Sequence, residues 1–334
     1  MKKRFLFLAF SFFAVTNSNE IDHAWQHSPY FNTNFLSKYD LVEQTLIKQG
    51  GFEPVTFTSS DGLNLCGLLL QKPQAEGTII FCAGFCPGRK EGQAPIYAML
   101  PAQYNILFFD ARGHAGSEGF FWRTMNQYGK HEYKDVLGAI SFVEKNIGGP
   151  IVLYGVCAGA FHATHALIEL EKQNKREQSG IEGLIFDSGF GSALQITQSD
   201  ALNYHIREKF LPRQLGWYAN KNKIKKTLLY KTSAYFLTRF AKVATKLLWI
   251  RGVKNIEAET NLFDKIHQIG CPIFFIHCKN DNYAPFESIV QLSENVSLKK
   301  CWWLEDSSHA LHAIKHKVKY REQFLEFLDS VLKV

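Results

Sequence analysis

The pentapeptide Gly155-Val156-Cys157-Ala158-Gly159 places a candidate nucleophile between two glycines. An apolar run, residues 150–154, precedes it, and a helix-compatible run, residues 160–170, follows it. This order is typical of a sharp strand-to-helix turn that exposes a reactive side chain, and the glycines allow the two elements to approach closely. A thiolate is an intrinsically strong nucleophile that a nearby histidine can activate. The pattern predicts covalent catalysis by Cys157; the alternative is a buried, inert cysteine.

An acidic residue and a histidine follow further along the chain, each in a loop after a predicted strand. The apolar run 272–276 leads to Asp281, and the run 301–304 leads to His309. In a catalytic triad, the histidine takes the proton from the nucleophile, while the acid holds the imidazole in the useful tautomer and stabilises its charged form. We therefore expect Asp281 and His309 to act together with Cys157.

Both of these assignments have competitors. His312 and His316 share the C-terminal segment, but His309 alone of the three follows a predicted strand directly. Asp187 ends the predicted strand after the nucleophile turn and could carry the acid in a variant arrangement, so Asp281 and Asp187 both stay open as the acid. Two other histidines, His162 and His165, fall in the helix after the turn, where we expect packing or capping roles.

Negative charge that develops on an acyl oxygen needs hydrogen-bond donors that are already in place. The backbone amide of Ala158, directly after the nucleophile, is the first candidate donor. The second is expected in the loop after the predicted strand 78–82, and we assign it to Phe85. A backbone donor does not depend on the neighbouring side chain, so Ala83 in this loop does not exclude the role.

These motifs, in this chain order, resemble those of the α/β-hydrolase superfamily from about Phe52 to the C-terminus. Residues 109–119 match the family's D-x-R-G-H-G-x-S-x-G loop, except that Ala115 stands where the pattern has glycine. Residues 55–71, broken by Ser59-Ser60-Asp61-Gly62, are similar to the family's opening hairpin. The chain is therefore identified as a candidate member of this superfamily.

The resemblance implies an α/β fold with a mostly parallel sheet, helices on both faces and an inserted helical cap. It also implies a hydrolase that cleaves a carboxylic ester or thioester through a Cys-His-Asp triad and an acyl-enzyme intermediate. Around Cys157 and Asp281 the chain looks most similar to capped lipase-like and serine-aminopeptidase-like hydrolases. Dienelactone hydrolases share the cysteine nucleophile, but they are typically smaller and lack such a cap.

Two other functions stay open at this point. An acyl-cysteine is itself a thioester, so it also reacts readily with amines, and an acyltransferase that uses an acyl thioester donor is one alternative. Bile acid-CoA:amino acid N-acyltransferases share the cysteine turn, but they carry an extra N-terminal domain that we do not expect here. The other alternative is a catalytically inactive binding protein that keeps the fold, which the unusual nucleophile and Ala83 would favour.

Length and composition fit one medium-sized enzyme. The chain has 334 residues, of which 46% are hydrophobic, enough to bury a large core. We expect an α/β core from residues 40–190 and 271–334 and a basic helical cap from residues 191–270, because loops without structure rarely exceed ~15 residues. The sequence contains neither a G-x-x-x-x-G-K-[ST] phosphate loop nor paired C-x-x-C motifs, so we expect neither a cofactor nor a metal.

The predicted cap is strongly basic. Between Arg207 and Lys254 the sequence has thirteen Lys and Arg residues and one acidic residue, Glu208, although the whole chain carries +7. A solvated helix over the core explains this pattern, and so does a surface that contacts an anionic membrane. A third explanation is capture of an anionic acyl substrate. Nucleic acid is not expected as a partner, because no nucleic-acid-reading motif accompanies the charge.

The N-terminus is typical of a targeting segment. Lys2-Lys3-Arg4 is followed by an apolar run, residues 5–15, that is too short to cross a membrane as an ordinary helix. We interpret residues 1–18 as a signal peptide or an N-terminal anchor, and the protein as exported. The seven cysteines argue in the other direction, because unpaired thiols are at risk in an oxidising compartment.

Overall fold

The protein is described by a computed structural model that divides into two compact units, residues 1–50 and 51–334. In the first unit, residues 43–48 are helical. The predicted targeting segment, most of the predicted cap and Phe85 lie outside the residues that the structure describes. Those residues are 43–48, 50–84, 96, 103–119, 129–192, 232, 235–236, 239, 259–281 and 283–333.

The second unit contains an eight-stranded sheet with the order β1-β2-β4-β3-β5-β6-β7-β8. The first two strands form an antiparallel hairpin, β2 pairs antiparallel with β4, and the remaining pairs are parallel. The strands are β1 (Glu53–Thr58), β2 (Asn64–Leu70), β3 (Gly77–Cys82), β4 (Tyr104–Phe109), β5 (Ile151–Val156), β6 (Ile181–Asp187), β7 (Ile273–Cys278) and β8 (Lys299–Leu304).

Helices cover both faces of this sheet. Among the described residues they are α1 (Tyr133–Asn146), α2 (Ala158–Lys172), α3 (Phe286–Glu294), α4 (His312–Lys315) and α5 (Lys317–Leu332), with a 3₁₀ turn at Ile266–Gln268. On one face, α1 and α2 share a core with Ile80, Leu153 and Phe275. On the other face, α5 packs Phe324 against Tyr154. The predicted mostly parallel sheet with helices on both faces is confirmed.

The central strands explain why the sequence shows apolar runs there. Every residue of β3, β4, β5 and β7 is buried, because helices shield parallel strands on both sides. Successive side chains therefore alternate between two apolar layers. None of the described helices is long and apolar enough to span a membrane.

A buried ion-pair cluster fixes the loop at residues 110–119. Arg112 donates to Asp135 over 2.7–2.9 Å and to Asp61 over 2.7–3.0 Å, and the Asp135 side chain is fully buried. Burial alone would raise the pKa of Asp61, but its hydrogen bonds and the charge of Arg112 hold it well below the usual range. Ser117 Oγ accepts a hydrogen bond from the amide of Cys66 and donates one to the carbonyl of Asp110. These two bonds tie the loop to β2.

Two histidines lie on the buried side of α2. His165 Nε2 donates to the carbonyl oxygen of Thr260 at 2.5 Å, and the rings of His162 and His165 contact the edge of Phe161. Burial, which disfavours the charged imidazole, lowers the pKa of His162 to about 3 and that of His165 to about 4. Both residues pack in the core, as the sequence predicts.

These histidines predict a loss of stability in mild acid. Their folded-state pKa values lie below the unfolded value of about 6.5, so between these values the unfolded chain binds more protons. The free energy of unfolding should therefore fall as the pH drops from about 6.5 toward 4, by up to about 1.4 kcal/mol per pH unit for each histidine. The double variant His162→Gln/His165→Gln should show a shallower fall in reversible urea unfolding.

His267→Gln is the matched control, because His267 is exposed. It should reproduce the wild-type dependence on pH. Parallel curves for wild type and the double variant would contradict the assignment of the acid sensitivity to these two side chains.

Candidate active site

Cys157 lies in the sharp turn between β5 and α2. Its backbone has φ 55° and ψ −120°, a conformation that costs a non-glycine residue about 1–3 kcal/mol. Two hydrogen bonds hold the turn. The amide of Cys157 donates to the carbonyl of Asp187 at 2.9 Å, and the amide of Ala160 donates to the carbonyl of Cys157 at 3.2 Å. The side chain is therefore held at the end of the sheet rather than in its core.

The glycines on either side of Cys157 permit close backbone contacts. A Cβ atom on Gly155 would lie 2.3 Å from the Cα atom of Ala160. A Cβ atom on Gly159 would lie 1.8 Å from the carbonyl oxygen of Cys82, at the end of β3. Any side chain at either position would push α2 away from the sheet and move Cys157 with it.

His309 and Asp281 form a hydrogen-bonded pair. His309 Nδ1 lies 2.8 Å from Asp281 Oδ2, and the Asp281 side chain is fully buried. The amides of Tyr283 and Ala284 donate to the other carboxylate oxygen at 2.7 and 3.0 Å. Burial alone would raise the pKa of Asp281, but its hydrogen bond to His309 and nearby positive charge lower it. Asp281 is thus held as a carboxylate that accepts a hydrogen bond from the Nδ1–H group of His309.

The other ring nitrogen of His309 is directed toward chemistry. Nε2 is buried and forms no hydrogen bond with any of the described residues. Burial alone would lower the pKa of His309, but the charge of Cys157 and the interactions with Asp281 and Cys157 raise it well above its ordinary value. The Cys157 thiol is thus near enough to the imidazole to affect its charge, although Nε2 forms no hydrogen bond to it. The Tyr283 ring lies against the imidazole, with ring centroids 4.5 Å apart and the two planes tilted by 30°.

The competing residues belong to other contacts. The Asp187 carboxylate accepts hydrogen bonds from Ser188 and Tyr320. His312 is fully buried beside Ser188, and His316 Nε2 lies 3.1 Å from Asp306. Among the described residues, the structure thus brings Cys157, His309 and Asp281 together, whereas the Asp187 carboxylate is hydrogen-bonded to Ser188 and Tyr320. Their catalytic roles remain predictions.

One of the two predicted oxyanion donors, the amide of Ala158, lies at the start of α2. Ala158 is buried and is the first residue of α2, so its amide has no acceptor within the helix. The positive end of the helix dipole adds to the attraction for an anion there. Phe85 lies outside the described residues, and its role stays a prediction.

Sequence reasoning missed two residues around this pair. Tyr283 covers the imidazole, and His277 lies beneath Asp281 with its Nε2 3.6 Å from Oδ2. His277 donates to the carbonyl of Ala284 at 3.0 Å, and burial lowers its pKa, so it supports the Asp281 loop as a neutral ring. A histidine in an otherwise apolar strand was the signal in the sequence that could have indicated His277.

The described cysteines are all free thiols, and Cys86 lies outside the described residues. Burial raises the pKa of Cys271 and of Cys278 to about 12, which makes these thiols poor nucleophiles. The thiol of Cys66 donates a hydrogen bond to the carbonyl of Gly116, with Sγ 3.2 Å from the oxygen. Among the described residues, no cluster of three or more His, Cys, Asp or Glu side chains could hold a metal ion.

Comparisons with known proteins agree with this architecture. The model of the alpha/beta hydrolase family matches residues 79–316. An uncharacterized protein of Bacillus subtilis, YqkD, is 24% identical over 276 residues, which is 82% of this chain and 78% of that protein. The Pyrococcus furiosus esterase Pf2001 is 18% identical with a TM-score of 0.60, over 84% of this chain and 91% of the esterase.

A second esterase, EaEST from Exiguobacterium antarcticum, gives a TM-score of 0.56 at 15% identity, over 84% of this chain and all of that one. At such identities the structural likeness speaks for the fold, whereas the family match extends over most of the chain, including the nucleophile turn, Asp281 and His309. The protein belongs to the alpha/beta hydrolase family and is a hydrolase.

Proposed function

We propose that the protein cleaves a carboxylic ester or thioester of a small-molecule acyl substrate through Cys157. The observation that carries this proposal is the Asp281–His309 pair, whose buried Nε2 lies beside the thiol of a strained turn. A thiol, an oriented imidazole and a buried carboxylate are together sufficient for nucleophilic acyl transfer to an enzyme.

Acylation begins when His309 Nε2 takes the proton from Cys157. The thiolate attacks the acyl carbon, forms the S–C bond and moves an electron pair onto the carbonyl oxygen. The amide of Ala158 is available to donate to this oxyanion. When the tetrahedral intermediate collapses, the bond to the leaving group breaks, and His309 gives its proton to the departing oxygen or sulfur.

Deacylation reverses the roles with water. His309 takes a proton from a water molecule that attacks the acyl-cysteine, and the S–C bond breaks. The thiolate leaves and recovers its proton from the imidazolium, so no cofactor is consumed. Throughout, Asp281 holds the Nδ1 proton and stabilises the positive ring.

The nucleophile also favours one class of substrate. An acyl-cysteine is a thioester, so attack of Cys157 on a thioester or an activated ester is nearly balanced in energy, whereas attack on an amide is uphill. We therefore place acyl thioesters and esters ahead of peptides as substrates.

A further part of the proposal concerns location. We propose that residues 1–18 direct export and that the basic segment 207–254 contacts an anionic membrane surface. Support comes from the excess of positive charge and from the described residues of this segment, which are helical and exposed, with Arg239 5.1 Å from the centroid of the Tyr235 ring. Each basic residue near an anionic surface contributes about 1 kcal/mol.

The first test concerns the nucleophile. Cys157→Ala should lower kcat for p-nitrophenyl acetate by at least about 1,000-fold, because no other group forms the acyl-enzyme. Cys66→Ala and Cys301→Ala are matched controls and should stay within about twofold of wild type. Equal losses in all three variants would indicate general unfolding and remove the assignment.

A second test concerns the histidine and the acid. His309→Ala should lower kcat/KM far more than His312→Ala, because of these two histidines His309 is the one hydrogen-bonded to Asp281. Asp281→Asn should lower kcat/KM less than His309→Ala does, but still by orders of magnitude, because the asparagine amide favours the wrong tautomer of His309. Steady-state kinetics on the same ester decide this, and a larger loss in Asp187→Asn than in Asp281→Asn would move the acid to β6.

The membrane contact can be tested separately from catalysis. Replacing Arg239, Lys242 and Lys246 together with glutamine should reduce sedimentation with anionic vesicles at low salt and leave hydrolysis of p-nitrophenyl acetate unchanged. Salt should weaken the wild-type interaction, because exposed charges are screened beyond roughly 8–10 Å at physiological ionic strength. Wild-type protein that ignores anionic vesicles at low salt would refute the membrane contact.

A further inference from the structure

A buried chain of polar side chains lies beneath the loop that carries His309. We call it the polar chain; it links β5 and β6 to α4 and α5 across more than a hundred residues of sequence. Its members are Tyr154, Asp187, Ser188, Ser307, His312 and Tyr320. Each is buried, and His312 and Tyr320 are fully so.

One half of the polar chain satisfies Asp187. Ser188 donates its hydroxyl proton to Asp187 Oδ1 at 2.7 Å, and Tyr320 donates to Oδ2 at 2.6 Å. The hydroxyl of Tyr154 lies 2.7 Å from that of Tyr320. Because the hydroxyl of Tyr320 donates its hydrogen bond to the carboxylate, its oxygen accepts a hydrogen bond from the hydroxyl of Tyr154.

The other half converges on the oxygen of Ser188. The hydroxyl hydrogen of Ser188 is used in the hydrogen bond to Asp187, so its oxygen is free to accept. It accepts one hydrogen bond from the amide of Ala310 at 3.0 Å and one from His312 Nε2 at 2.9 Å. His312 Nδ1 then accepts from Ser307 Oγ at 2.7 Å. In this assignment the Nε2–H tautomer of His312 has both nitrogens satisfied.

The backbone is strained at Ser188 and at Ala310, the two residues that the hydrogen bond to Ser188 Oγ joins. Ser188 has φ 53° and Ala310 has φ 56°, a region that non-glycine residues occupy at a cost of about 1–3 kcal/mol each. One hydrogen bond, from the Ala310 amide to Ser188 Oγ, joins them. Ser188 is itself fixed by its amide, which donates to the carbonyl of Ile276 in β7 at 2.9 Å. The residue next to His309 is thus anchored to the sheet.

We propose that Ser188 and His312 are positioning residues for His309. Ser188 Oγ holds the amide of Ala310, and His312 orients that oxygen, so that the His309 ring keeps Nδ1 on Asp281 and Nε2 beside Cys157. The inference rests on the proposed function, because it takes His309 as the catalytic base. Because Ser188 and His312 are fully buried, we expect neither side chain to contact the substrate. Errors of about 1 Å in placing a catalytic group cost roughly 100-fold in rate, so the anchor has a kinetic consequence.

The first experiment removes the anchor itself. Ser188→Ala should lower kcat for p-nitrophenyl acetate about 10- to 100-fold and leave KM within about twofold, because the substrate loses no contact. Ser179→Ala is the matched control: Ser179 is a buried serine whose hydroxyl donates to the Arg176 carbonyl at 2.6 Å, outside the polar chain. It should lower the melting temperature without lowering kcat.

The second experiment separates position from stability at His312. A glutamine there can still donate an amide N–H to Ser188, whereas a leucine cannot. His312→Gln should retain kcat within about fivefold, and His312→Leu should fall as far as Ser188→Ala. The double variant Ser188→Ala/His312→Leu should fall little further, because both changes break one chain of contacts. Equal losses for glutamine and leucine would overturn the role of His312.

A readout without substrate keeps the inference distinct from the proposed function. The Nδ1 proton of His309, hydrogen-bonded to a buried carboxylate, should give a downfield ¹H NMR resonance that disappears in His309→Ala. It should shift or broaden in Ser188→Ala and persist in Ser179→Ala. An unchanged resonance together with unchanged kcat in Ser188→Ala would overturn the inference. Wild-type protein that shows the resonance but cleaves neither esters nor thioesters would instead refute the proposed function.

Discussion

The backbone contact between α2 and the end of β3 is the constraint on which the site depends. Gly159 touches the carbonyl of Cys82 so closely that no side chain fits between them. This contact sets where α2 begins, and therefore where the strained residue Cys157 and the amide of Ala158 lie. The tertiary packing holds a backbone conformation that the chain would not adopt alone.

The parallel sheet does the rest of the positioning. Val156, Asp187 and Ile276 are paired in register across β5, β6 and β7, and Cys278 pairs with Leu304 in β8. The segments that carry Cys157, Ser188, Asp281 and His309 consequently leave the same edge of the sheet from adjacent strands. Groups separated by more than a hundred residues need only short loops to meet.

Local patterns allowed part of this to be predicted from sequence. The turn around Cys157 and the polar loops after β7 and β8 each have a signature within a few residues. Ser188 and His312 have none, because their relation is a pairing across 124 positions that only the fold creates. Tyr283 was not predicted for the same reason, because its contact with the His309 ring exists only in the folded protein. Most of the predicted cap and Phe85 lie outside the described residues, so the structure leaves those two predictions open.

The strained turn has an evolutionary consequence. Its backbone depends on two glycines and on hydrogen bonds made by main-chain atoms, and none of these involves the γ atom of residue 157. Exchange of sulfur for oxygen there needs a single base change in the codon. It leaves the glycine contacts and the main-chain hydrogen bonds in place, and it alters only the packing of the half-buried side chain against the core. The backbone of this turn can therefore present either a thiol or a hydroxyl without first being rebuilt, so the choice between sulfur and oxygen is a choice of nucleophile chemistry and not of fold.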